Sequence, residues 1–447
     1  MAPEIKYTKL FINNEWVDAC SGYTFPAHTP HDGSVIAEVA EGDKADIDLA
    51  VAAAKAAFHR DSKWRLLDAS ARGRLLSKFA DLVQRDAQYL GELDSYNTGK
   101  NIRMALGIVQ KGVNGARYAA SLADKIQGDT IPAGCTVVVK PAEQAPLTSL
   151  ALVTLLKEAG IPAGVVNVVT GFGPGAGTAL THHPDVAKIS FTGSLEVGKQ
   201  IQQAAGKANL KRVTLELGGK SPLVIMNDAD LNLAVTWAAH GVFGNQGQMC
   251  FAASRTFVQS GIYDTFVKKA VDFARNIKIG NPSDPDVDHG PQVDGDMMNR
   301  VLAYIEKGKQ EGAKLMTGGN RIGTTGYYIE PTVFADVEDH MTIAKEEIFG
   351  PVQCIFKFET LKEAIDRANN TNYGLASGIF TKNINDALHF SKHVEAGNVW
   401  INTYLASTAQ TPFGGFKDSG LGREKGMDCV EEYLEIKTVT ISLPKTI

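Results

Sequence analysis

Cysteine is scarce. Five residues, Cys20, Cys135, Cys250, Cys354 and Cys429, are scattered along 447 positions. An odd, dispersed set of this kind excludes a disulfide framework and fits a reducing compartment. Long apolar runs are missing too, since no span approaches the roughly 18 residues that a membrane helix needs. The opening Met-Ala-Pro-Glu-Ile-Lys-Tyr has neither an apolar run nor an Arg-rich amphipathic pattern, so no targeting segment is read there. Charge never gathers into blocks, and the formal net charge is only -5. That balance argues against nucleic acid or an anionic membrane as a partner. Internal repeats and low-complexity tracts are absent. His182-His183 stands in a turn before Pro184 without the spaced Cys, Asp or Glu of a metal site, so no metal is expected. These absences lead to the expectation of a soluble, cytoplasmic protein.

What is present is ordinary globular material, 44% hydrophobic and 21% charged. The length exceeds what one core usually serves, so two or three domains are expected. Residues 9–39 read as short strands and turns. Asp43 reads as the N-cap of an alanine-rich helix running to about Phe58. Helical periodicity follows over 70–93 and 101–122 and ends at the breaker cluster Gly128-Asp-Thr-Ile-Pro132.

From Cys135 the texture changes. Short β-branched runs (136–139, 165–169, 186–191, 212–216) alternate with helical ones (147–159, 175–181, 196–205). This pattern predicts an α/β, doubly wound parallel sheet of the dinucleotide-binding type, closing an N-terminal domain at 1–217. A second α/β domain is expected over 218–419. It has helices at 231–243, 262–277, 297–311, 361–369 and 384–393, and strands at 254–258, 352–358, 377–380 and 398–401. The return segment 420–447 contains an alternating run, Tyr433 to Leu443, that reads as a strand seeking a partner element or subunit.

Chemistry concentrates in a few stretches. Gly171-Phe-Gly-Pro-Gly-Ala-Gly177 fits the dinucleotide fingerprint poorly, because a proline interrupts it and no acidic residue follows at the right spacing. Phe191-Thr-Gly193-Ser194-Leu-Glu-Val-Gly198 ends a strand and opens a helix. There, free N–H groups and the helix dipole favour a phosphate, although a plain tight turn would look the same. Lys140-Pro-Ala-Glu143 ends another strand, where the pair could hold ribose hydroxyls or be a solvated ion pair. Glu216 closes the apolar strand Val-Thr-Leu-Glu, and burial would raise its pKa towards that of a general base. Cys250, in Asn245-Gln-Gly-Gln-Met-Cys, reads on its own as a structural thiol. Beside Glu216 it becomes a nucleophile paired with a carboxylate able to activate water. A cofactor-free thiol hydrolase would use the same pair, and His240 offers a remote dyad partner.

Taken together, these motifs make the chain similar to the NAD(P)-dependent aldehyde dehydrogenases, from about residue 7 to the C-terminus. The likeness is greatest to the cytosolic and mitochondrial branch that oxidises acetaldehyde, longer aliphatic aldehydes and retinal. The resemblance implies Glu216 as general base within Val213–Pro222, with Leu217 at the cofactor. It implies Cys250 as nucleophile within Gly247–Cys250. It places Gly193, Ser194 and Gly198 at the pyrophosphate, and Lys140 and Glu143 at the adenosine ribose, Glu143 favouring NAD over NADP. Glu347 in Glu346–Pro351 would hold the nicotinamide ribose, with Phe349 packed nearby, and Pro412–Gly420 would lie by the substrate funnel. A small-molecule aldehyde, NAD and a homo-oligomer are the implied partners. The chain departs from the pattern at one place. Pro132 runs straight into Ala133, so about fifty residues are missing, enough for one strand, turn and helix. The family's Trp-Asn-Phe-Pro stretch, whose asparagine donates to the oxyanion, occurs nowhere. This predicts an aldehyde dehydrogenase fold lacking one βα unit, with a catalytically impaired binding or regulatory subunit as the rival reading.

Overall fold

The computed structural model of the chain describes residues 2–125 and 134–442. The Pro132–Ala133 junction and Leu443 lie outside the described residues. Asp43 caps the helix Lys44–Phe58 in a capping box with Asp46. The helical run expected over 70–93 is two helices, Ala69–Arg85 and Ala87–Thr98. Asp86 (φ -97°, ψ 15°) breaks the ladder between them, and Arg85 clamps it while reaching Glu158 at 2.6 Å. A third helix, Ile102–Leu122, starts at Asn101, whose side chain accepts from the Met104 N–H.

The larger sheet has seven strands, in the order Lys314–Thr317, Thr332–Ala335, Val352–Phe358, Arg255–Gln259, Pro222–Ile225, Ala376–Phe380 and Asn398–Ile401. All its pairings are parallel except the first. Val224, Phe257, Phe356 and Ile379 are fully buried against the helices of one face, and Leu223, Val258, Ile355 and Phe380 against those of the other. A parallel sheet needs cover on both faces, which is why these strands read as continuous apolar runs. Sequence reading missed Pro222–Ile225, Lys314–Thr317 and Thr332–Ala335, each only four residues long. A strand-opening proline gives up one ladder donor at the position where that is tolerated.

The expected dinucleotide-type sheet is present as two fragments. Val137–Val139 pairs in parallel with Val166–Val168, which carries Leu10–Ile12 and Glu15–Val17 on its outer side. Lys188–Thr192 pairs in parallel with Arg212–Glu216, which carries Gly420–Leu421 outside it. In each fragment the later strand lies outward of the earlier one. A doubly wound sheet grows outward in both directions from its first strand. The inner edges here, Val137–Val139 and Lys188–Thr192, are the two that such a first strand would join. Neither has a strand partner on that side among the described residues, and Val137 is 45% exposed.

The tail expected to pair as a strand with another element or subunit has no strand partner among the described residues of the single chain. Residues 434–442 have no regular secondary structure, and Ile436, Val439 and Ile441 are 96%, 70% and 76% exposed. A strand exists only through pairing, and no element of the described chain pairs with this segment. Among the described residues no helix is long and apolar enough to cross a membrane.

Backbone amides on an unpaired edge open far more readily than those in a paired core. In hydrogen exchange followed by mass spectrometry, peptides covering 137–139 and 188–192 should therefore lose protection at least about tenfold faster than 255–259. Equal protection would mean that the inner edges are paired.

Candidate active site

The chain crosses from the smaller fragment to the larger sheet between Glu216 and Pro222, and the site is built on that crossing. Leu217 N–H donates to the Ser419 carbonyl (2.9 Å), and Ser419 Oγ donates to the Gly218 carbonyl (2.8 Å). Gly218 and Gly219 then pass through a space with no room for side chains. A Cβ on Gly218 would stand 2.1 Å from Glu347 Oε2, and one on Gly219 would stand 2.4 Å from the Cys250 carbonyl oxygen. Gly219 N–H donates to Glu347 Oε1 at 3.3 Å. The glutamate motif thus touches both the cysteine loop and the Glu347 loop directly.

The cysteine loop follows the helix Leu231–Phe243. Asn245 and Gln246 both take positive φ (48° and 57°), which turns the chain sharply. Gln248 Oε1 accepts from Val293 N–H (2.9 Å), and Gln292 Nε2 donates to the Gln246 carbonyl (3.2 Å). Gly247 (φ 73°) lies so close to the Gly350 carbonyl that a Cβ would fall 2.0 Å from its oxygen. Tyr404 Oη donates to the Phe251 carbonyl at 2.9 Å. Cys250 is therefore held from both sides, with Phe349 (φ 58°) on the loop that docks against Gly247.

Electrostatics separate the two reactive groups from ordinary surface residues. Glu216 is 2% exposed, and neither carboxyl oxygen has a hydrogen-bond partner among the described residues. Burial, with a smaller push from Glu424, raises its pKa to about 8, against the opposing pull of Arg423 and Lys425. The Cys250 thiol is pushed up to about 12 by burial first and then by Glu347 and Glu216, while the Cys250 and Phe251 amides counter in part. Glu347 is itself raised by burial, with the Gly219 N–H, Lys220 and Arg300 opposing. In the free protein the pair is a neutral thiol beside a largely protonated acid.

The expected cofactor residues fall into two groups, Gly193, Ser194 and Gly198 beside the Glu216–Leu217 stretch, and Lys140 with Glu143 beside Gly171–Gly177. Gly193 N–H donates to the Glu216 carbonyl (3.1 Å), and the Gly193 Cα faces the Phe191 ring. Ser194 caps the helix Leu195–Ala208 by accepting from Val197 N–H. Gly198 packs where a Cβ would lie 2.7 Å from the Leu217 side chain. Lys140 Nζ donates to the carbonyls of Pro141 (2.7 Å) and Gly171 (3.0 Å) and lies 3.6 Å from Glu143, and burial lowers its pKa. The Gly171–Gly177 stretch is thus a neighbour of Lys140, and Lys140 Cδ stands 3.7 Å from the Cβ position of Gly177. Sequence reasoning gave no role to Ser419 or Glu424. Ser419 sits inside the quoted Pro412–Gly420 motif, whereas no sequence signal marks Glu424. Among the described residues no group of three or more His, Cys, Asp or Glu side chains is placed to hold a metal.

The aldehyde dehydrogenase family model matches residues 16–133 and, separately, 131–439, and the chain belongs to the aldehyde dehydrogenase family. Aldehyde dehydrogenase 1A1 of Gallus gallus is 52% identical over 485 positions, spanning 99% of this chain and 95% of the relative. The Homo sapiens aldehyde dehydrogenase 1A1 is 51% identical over 480 positions, spanning 98% and 96%. Among solved structures, the NAD+ complex of aldehyde dehydrogenase from Bacillus cereus superposes with TM-score 0.96 at 41% identity, covering 98% of this chain and 97% of that one. The first alignment is 38 positions longer than the 447-residue chain, and the two family matches meet at 131–133.

A thiol this protonated should react slowly at neutral pH. Iodoacetamide labelling of Cys250, resolved by peptide mass, should rise about tenfold per pH unit from 7 to 9 without a plateau. A plateau below pH 8 would show that a cation holds the thiolate in the free protein.

Proposed function

We propose that this protein oxidises an aldehyde to a carboxylic acid with NAD, through Cys250 as nucleophile and Glu216 as general base. The observation that carries the reading is the approach of a thiol loop and a buried, unpartnered carboxyl across Gly218–Gly219, with Glu347 on the same glycines. The residues present fit the cofactor. The capped N-terminus of Leu195–Ala208 suits a diphosphate, the Lys140–Glu143 pair and Glu347 suit ribose hydroxyls, and Glu143 disfavours a 2′-phosphate. NAD, when bound, accepts the hydride that the aldehyde carbon gives up.

The thiol passes its proton to solvent water and its sulfur adds to the carbonyl carbon, forming a tetrahedral hemithioacetal anion. The Cys250 backbone N–H is the donor this chain offers the oxyanion. After hydride loss the carbon is a thioester of Cys250. Glu216, ionised once its buried site admits water, takes a proton from that water, and hydroxide displaces the sulfur to give the carboxylic acid. The inner-edge gap, the divided family match and the surplus alignment length support a chain lacking one βα unit. The oxyanion asparagine would go with that unit, and loss of one such donor slows related chemistry by about 10²–10³. The exposed tail is the surface for homo-oligomer formation through a second copy, and the cytoplasm is the compartment.

Purified protein should reduce NAD in the presence of propanal, and Cys250→Ala should abolish the reaction. Glu216→Gln should leave the acylation burst but slow steady turnover by about 10²-fold. Wild-type turnover, where thioester hydrolysis limits it, should rise with pH and level off above about 8, where the Glu216 carboxyl is ionised. NAD binding by calorimetry without any turnover would replace this reading with that of a binding subunit.

A further inference from the structure

Next to Cys250 stands a cluster of aromatic rings with a lysine over one of them. Phe251, the next residue, meets Phe413 edge-on at 5.6 Å and Trp400 at 6.3 Å. Phe413 exchanges backbone hydrogen bonds with Glu424, 2.7 Å each way, which sets Lys425 beside the Phe413 ring. Lys425 Nζ stands 5.2 Å above that ring and donates to Ser407 Oγ at 3.0 Å. Its backbone is in the left-handed region (φ 60°), as is that of Gly426 behind it. A side chain other than glycine's hydrogen is uncommon at such a position.

Lys425 is not alone. Lys111, from the helix Ile102–Leu122, lies within electrostatic reach of it. The field of Lys425 extends to both Cys250 and Glu216. Among the described residues neither lysine has a carboxylate within ion-pair distance, although most other charges of the region do pair or turn to backbone. Arg423 is turned to the Gly415 and Gly422 carbonyls at 3.2 and 2.7 Å and lies over Phe416. Glu424 is the acid that faces Lys425, and Glu216 is largely protonated at neutral pH. Desolvation, together with Lys111, lowers the Lys425 pKa, the direction expected of a cation short of counter-charge.

We propose that the preferred substrate is an aldehyde with an anionic group at its far end, a carboxylate, which Lys425 binds while the aldehyde carbon meets Cys250. The proposal rests on the aldehyde-oxidising reading above and names the substrate class for it. The aromatic residues Phe251, Phe413 and Trp400 pack the intervening chain, and Lys425 over the Phe413 ring supplies a charge that a neutral aliphatic aldehyde would leave unused. The covalent steps at Cys250 are unchanged.

The test compares kcat/KM, with NAD, for 4-oxobutanoate against butanal and for 6-oxohexanoate against hexanal. At least one anionic member should be preferred by about tenfold or more. That preference should shrink when the ionic strength is raised to about 0.5 M. Lys425→Met should lower the anionic-to-neutral ratio by about tenfold, mainly through KM, and Lys425→Arg should restore most of it. Lys44→Met, at an exposed position opening the helix Lys44–Phe58, should leave the ratio as it is. A wild-type ratio near one for both pairs, or a ratio unmoved by Lys425→Met, overturns the proposal. If none of the four aldehydes is oxidised, the parent reading falls instead. Calorimetric titration of the whole protein with succinate against butyrate then decides the Lys425 site: equal binding overturns it, and a succinate preference lost in Lys425→Met upholds it.

Discussion

Two adjacent glycines set the limits within which everything else in this molecule is arranged. Gly218 and Gly219 carry the chain from one sheet to the other through a gap too narrow for any side chain. Because they do, backbone atoms of the glutamate motif lie against the cysteine loop and against Glu347 at once. Interiors pack at crystal-like density, so a Cβ placed at 2.1–2.4 Å from its neighbours could be fitted only by moving one of those loops. Three segments far apart in sequence therefore share one geometry, and that geometry is enforced by the absence of atoms.

Burial without compensation is the second organising fact. A buried carboxyl with no partner is costly as an anion, and a buried thiol beside two acids is costly as a thiolate. The free protein keeps both protons, so the site is quiet until something enters that changes its water and charge. Lys220 repeats the theme on the far side. It is fully buried with no hydrogen-bond partner among the described residues, and burial lowers its pKa to about 8. Burial shifts all three groups, leaving Glu216 and Cys250 neutral while Lys220 keeps most of its charge at neutral pH.

Much of this was legible in the chain. Helices such as Leu231–Phe243, Leu361–Asn369 and Ile384–His393 match their periodic patterns residue for residue, because each is amphipathic or buried over its whole length. The Arg212–Glu216 strand and the closeness of Lys140 to Glu143 also came through. What failed has physical reasons. Four-residue strands are too short to show a period. Asp86 splits a helix by its backbone angles alone, and the pattern continues across it. The tail's alternation was read as a strand that pairs with another element or subunit, and in the single chain its described part, residues 434–442, stays irregular because pairing is not a property of one segment. Glu424 acts on Glu216 through space, and no spacing in the sequence records that.

The first residues of the tail are held by side-chain contacts. Lys188 reaches Glu432 at 3.3 Å and stands over the Tyr433 ring at 4.6 Å, while Arg212 bonds the Leu434 carbonyl at 2.7 Å and Glu435 at 3.0 Å. Arg212 opens the strand that ends in Glu216, a rod of roughly 13 Å. The tail is thus a lever attached to one end of a short stiff bar whose other end holds the proposed base. The anchored start of the tail and the proposed base thus stand at opposite ends of one five-residue strand.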